Sequence, residues 1–120
     1  MQVVKTLRES CGLTVFCGVS ARDDFDKLEH SSNFLLLYPG PLVTSALFEA
    51  GYALARGMPC RFFVKSQLDL PFLMREIPEA FTNVSILGNS EWTTYGDICK
   101  KIVRSQKQWF GKRLRARIIA

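Results

Sequence analysis

One histidine, His30, and four cysteines without CxxC or Cys/His spacing leave this chain short of the residues a structural zinc site needs. Cys17 and Cys60 fall in apolar runs, where a free thiol behaves as a small hydrophobe. No apolar run approaches the ~20 residues that span a bilayer, and the amino terminus lacks the apolar core of a signal peptide. No membrane contact and a cytoplasmic location are therefore expected. There is no GxxxxGK[ST] and no GxGxxG, so neither phosphate-binding fingerprint is available. Asp23, Asp24 and Asp26 lack the glycine and distal glutamate of a calcium loop, and helical spacing would scatter them over a solvated face. His30 sits in a polar turn with no Ser/His/Asp set around it. No metal ligands are expected, and repeats, linkers and low-complexity segments are absent too.

What the chain does have is an ordinary globular composition, with 48% hydrophobic and 22% charged residues over 120 positions. That suits one domain burying about two-thirds of its unfolded surface. The net charge of +5 is uneven. Lys107, Lys112, Arg113, Arg115 and Arg117 lie in the last 16 positions with no acid, and the rest of the chain is balanced. The division expected is an α/β domain over residues 1–107 and a basic tail over 108–120. Trp109 and Phe110 beside those cations could form an aromatic and basic contact for nucleic acid. A solvated or subunit-contacting tail is the preferred reading.

Periodicity organises the body. Val3, Val4 and Leu7 are helically spaced before Gly12, and residues 13–17 (LTVFC) form a β-rich run. Phe25 and Leu28 suggest a polar helix over 21–29. Residues 34–38 (FLLLY) are apolar throughout, as in a strand covered on both faces. Cys60 to Lys65 and Val84 to Leu87 are further strands, and residues 68–81 read as an apolar loop with a short helical turn, interrupted by Pro71 and Pro78. A helix over 92–109 presents Ile98, Ile102 and Val103 to the core. Leu114, Ala116 and Ile118 alternate with arginines, which fits a strand edge or a loose extension. Strand and helix alternate at the spacing of a parallel sheet covered on both faces. The fold expected is one three-layer α/β domain with about four strands, mainly parallel.

The strongest pattern lies between strands two and three. Val43, Ala46, Leu47, Ala50, Ala53 and Leu54 follow i, i+3, i+4, i+7 spacing, with Pro41 at the start and Gly57 then Pro59 as the stop. Ser45, Glu49, Tyr52 and Arg56 form another stripe. Glu49 is read as off the core stripe, near the positive end of the helix dipole, or paired with Arg56 or Lys65. Ligands of α/β proteins bind where strand carboxyl ends meet helix amino ends, so a lone acid here is a candidate catalytic group.

The segment from Phe34 to Val64, with Leu70-Pro71-Phe72-Leu73 after it, resembles the nucleoside 2-deoxyribosyltransferase and TIR-like superfamily. The matching residues are Pro39, Gly40, Thr44, Ser45, Glu49, Gly51, Ala53, Gly57 and Pro59, and the run Glu49 to Pro59 is the most specific part. The Pro-Gly before Thr and Glu is also similar to the lysine-decarboxylase-like phosphoribohydrolases, at a different spacing. The resemblance implies a flavodoxin-like fold and cleavage or transfer of the N-glycosidic bond of a nucleoside, a nucleotide or NAD. It implies no cofactor, with NAD as a possible substrate. Glu49 would be the nucleophile or cation stabiliser. Tyr38, Pro39, Gly40, Thr44, Ser45 and Tyr52 would bind substrate. The alternative is a catalytically inactive nucleotide-binding or TIR-type assembly module.

The resemblance also places a further strand, central in the sheet, ahead of the first helix. Nothing before Leu13 reads as a β run. That strand is expected from a longer chain or from a second subunit, which makes a homo-oligomer the expected assembly, or it is lost in an inactive descendant.

Overall fold

The strands run parallel, and the chain reaches a central one last. The computed structural model describes residues 2–16, 26–38, 44–88, 90–111 and 115–119. Helix α1 (Gln2–Lys5) continues into a π-helical turn (Thr6–Ser10), followed by β1 (Thr14–Phe16). A helical segment at 26–29, here α2, leads to β2 (Phe34–Tyr38), α3 (Thr44–Ala55) and β3 (Cys60–Val64). Next come α4 (Phe72–Arg75), α5 (Ile77–Ala80), β4 (Val84–Leu87), α6 (Tyr95–Phe110) and β5 (Arg115–Ile119). The sheet order is β1-β5-β2-β3-β4. Phe34 is in register with Cys60 on one side and with Arg117 on the other, and Thr14 is in register with Arg115.

Because alternate strand residues point to opposite faces, the apolar run of β2 feeds two clusters. Phe34 and Leu36 join Phe62, Val64, Leu28 and the α3 alanines Ala46, Ala50 and Ala53. Leu35 and Leu37 join Phe63, Val3 and Leu7 from the amino-terminal helix, and Ile98 and Ile102 from α6. Phe34 and Phe62 meet edge-to-face at 6.4 Å, and Phe63 does the same with Trp109 at 6.0 Å. The radius of gyration, 13.2 Å, is that of a compact chain of this length, about 13.6 Å.

Several expectations change. The sheet has five strands rather than four, and the expected tail supplies the fifth. Residues 108–110 close α6, and Gly111, at φ 54°, turns the chain out of the helix before β5. β5 is thus neither an edge strand nor a loose extension. Its alternating arginines hid it, because interior parallel strands usually read as unbroken apolar runs. β5 lies between β1 and β2, inside the sheet.

Helix α6 begins at Tyr95 rather than Trp92. Thr94 caps it, its hydroxyl accepting from the Asp97 amide while the Asp97 carboxylate accepts from the Thr93 and Thr94 amides. The Thr93 hydroxyl, donating to the Asp97 carboxylate at 2.7 Å, and then these amides hold the Asp97 pKa down at about 2. Trp92 packs separately, its indole N–H donating to the Leu87 carbonyl at 2.9 Å. Val103, expected in the core, is exposed, and Cys99 and Phe110 take buried positions beside Ile98 and Ile102. Residues 68–81 hold two short helices in place of one turn, with Leu70 buried. Cys11, Cys60 and Cys99 are free thiols, and burial pushes the Cys60 thiol up to about 12. Cys17, Asp23 and Asp24 lie outside the described residues. Among the described residues no helix is long and apolar enough to cross a membrane.

Candidate active site

Helix α3 is placed by its small residues. Ala46, Ala50 and Ala53 let its backbone approach the sheet, and Leu54 completes the buried stripe. Its end is fixed by Gly57, at φ 78°, where the Gly57 and Met58 amides donate to the Leu54 and Ala53 carbonyls. Asn83 reinforces this corner, its side-chain amide donating to the carbonyls of Leu54 and Met58. The Gly57 and Pro59 stop read from the sequence is therefore the observed one.

Glu49 borders the buried stripe, three residues after Ala46 and four before Ala53. It is 8% exposed and, with Asn33, is one of two buried polar or charged side chains among the described residues. That differs from the solvated stripe expected. The carboxylate is also the sixth residue of the described helix, beyond the first turn where the helix dipole acts strongly. Burial next to the sheet, rather than the dipole, sets its environment.

The other stripe members divide. Ser45 is exposed. Tyr52 donates its hydroxyl to Glu29 Oε1 at 2.7 Å, and this bond to a carboxylate raises the phenol above its ordinary value. Arg56, expected beside Glu49, instead faces Glu29 Oε1 at 3.8 Å. This side of α3 therefore faces α2, in the crossover from β1 to β2. Leu28 of α2 joins the same apolar cluster as the α3 alanines. No motif marks Glu29 as the anchor of Tyr52 and Arg56, because the three meet through the α2–α3 packing.

Tyr38 ends β2 and Thr44 begins α3, at the carboxyl edge of the sheet. Pro39 and Gly40 lie outside the described residues. At the same edge, the ends of β3 and β4 border a cavity of about 640 Å³ lined by Lys65, Ser66, Ile86, Gly88 and Glu91 among others. Glu49 is not part of its wall. Among the described residues no three His, Cys, Asp or Glu side chains gather to hold a metal ion. Compared with protein-family models, curated proteins and solved structures, the chain matches none.

Proposed function

We propose that this chain is an N-glycosidase-type domain that cleaves or transfers the bond between a ribose-type C1′ and a base, in a nucleoside, a nucleotide or NAD. The observation that carries the reading is the buried carboxylate of Glu49, on the helix that follows a central strand of a parallel sheet. As the base leaves with the bonding electron pair, positive charge develops at C1′. A carboxylate there stabilises that cation, or attacks it to give a glycosyl-enzyme, and water or a second base then takes the sugar. Low exposure strengthens the electrostatic effect, since solvent screens a buried charge less.

The strand order supports the same reading. With β5 counted first, β1-β5-β2-β3-β4 becomes the 2-1-3-4-5 order of flavodoxin-like sheets, which bind ligands at the carboxyl edge beside the first strand. The two apolar clusters fit a three-layer arrangement of that kind. In this reading Tyr38, Pro39, Gly40, Thr44 and Ser45 border the substrate, and Tyr52 braces α3 through Glu29 rather than contacting the base. No cofactor is required, NAD enters only as a substrate, and the domain works in the cytoplasm.

A second reading has its own support. Glu49 is so well covered that substrate must displace part of its surroundings, which favours a nucleotide-binding or TIR-type assembly module without turnover. Incubation with NAD and a panel of nucleosides and deoxynucleosides, with chromatographic detection of free base, separates the two. Base release supports the N-glycosidase. Thermal stabilisation by one of these compounds without base release supports the binding module, and neither effect removes both readings.

A further inference from the structure

The opposite, amino edge of the sheet holds a second polar cavity, of about 390 Å³, walled by Glu29, Ser32, Asn33, Arg56, Gly57 and Trp109 among others. Its volume is within the range of small-ligand sites. Arg61, the second residue of β3, lies directly behind this wall. Its Nη1 donates to Asn33 Oδ1 at 3.2 Å, and its guanidinium carbon is 5.0 Å from the centre of the Trp109 ring. No carboxylate of the described residues comes within ion-pair distance of Arg61. Burial also lowers its pKa from the ordinary arginine value, which marks a cation partly stripped of water.

The two arginines of this edge therefore differ. Arg56 is answered by Glu29 at the rim, whereas among the described residues Arg61 is answered by an amide oxygen and an aromatic face. A partly desolvated cation with no counter-ion among the described residues leaves a positive field, strongest toward the adjoining cavity. Asn33 is 1% exposed, and with its Oδ1 held by Arg61 its Nδ2 is turned the other way, 3.3 Å from the Ser32 hydroxyl. Trp109 adds an apolar, half-buried wall.

We propose that this cavity binds a small anion carried on a flat ring, its phosphoryl or carboxylate group held by the Arg61 field, Asn33 and Ser32, with its ring against Trp109. The site is separate from the chemistry proposed at Glu49, and each stands or falls without the other. Arg61 acts through Asn33 and the field, and is a positioning residue.

The test is nuclear magnetic resonance titration of the full chain with AMP, benzoate, inorganic phosphate and adenosine, following the Trp109 indole and Asn33 side-chain amide signals. Saturable shifts with AMP or benzoate are expected. AMP alone identifies a monophosphate site, and benzoate alone a carboxylate site. Binding weakens about tenfold or more in Arg61→Gln, which removes a charge-assisted partner. Glu29→Gln, at an exposed rim position, tightens it about two- to fivefold by removing a competing anion. No shift of either signal with AMP or benzoate up to about 10 mM would overturn the proposal. Equal shifts with uncharged adenosine, or affinity unchanged by Glu29→Gln, would do the same.

Discussion

This sheet carries two poorly solvated charges of opposite sign, one buried and one half-buried. One is the Glu49 carboxylate, midway along the helix following β2. The other, at the amino edge, is the Arg61 guanidinium, set between Asn33 and Trp109. The first was visible in the sequence because one continuous strand, turn and helix produce it. The second appears only on folding, because Asn33, Arg56, Arg61 and Trp109 come from four separate segments. A sequence pattern exposes a site when one stretch of chain builds it, and hides one assembled across elements.

Both sites depend on β5, which is in register with Phe34, Leu35 and Leu36 of β2. The largest expected effect is therefore Ile118→Pro. Proline in an interior strand removes a ladder hydrogen bond and has no solvent-facing side to occupy. A loss on the order of 4 kcal/mol is expected, read as a collapsed thermal transition in circular dichroism. Hydrogen exchange on the unaltered protein gives a companion result, with Ile118 protected as well as Leu35. Exchange at the rate of a free terminus would show that the two sites do not share this strand.

Much of the fold was legible, for identifiable reasons. β2, α3 and β3 were read at nearly their observed limits because FLLLY, the alanine stripe and the Gly57 and Pro59 stop are strong local signals. β5 was missed as an interior strand because Arg115 and Arg117 mimic a solvated edge. α6 was started too early because Trp92, though buried, packs as part of the connection, and Thr94 rather than Trp92 marks the cap. At the candidate site Glu49 was found, but its burial was not, since helical spacing places it at the border of the core stripe. The contacts of Tyr52 and Arg56 with Glu29 were not foreseen, because Glu29, 23 residues before Tyr52, carries no motif.

Smaller effects sharpen the contrast. Thr94→Ala removes the α6 cap and costs about 1 kcal/mol, lowering the melting temperature by about 4 °C. Because α6 carries Trp109, exchange should speed up near Arg61 more than around Glu49, which sits on the other face. Asp97 supplies the other half of the cap. Its folded pKa lies below the ordinary 3.8, so its contribution is present above that value and is lost as pH falls toward about 2. Asp97→Asn should remove that acid-dependent part of the melting temperature. Tyr52→Phe has the smallest effect, because the hydroxyl it deletes is committed to Glu29. Base release should stay within about threefold of the unaltered protein, since one exposed hydrogen bond contributes little. The Tyr52 phenol is raised above 10.0, so its bond to Glu29 is intact below that pH and is lost as pH rises further. Tyr52→Phe should remove that alkaline dependence.

The most direct measurement is the rate of base release by the unaltered protein and by Glu49→Gln, on whichever compound of the NAD and nucleoside panel the protein turns over. Glutamine keeps the shape and removes the charge. A fall of about 10²–10³-fold in kcat, with the melting temperature preserved, is the result this account predicts. Equal rates from the two proteins would contradict it.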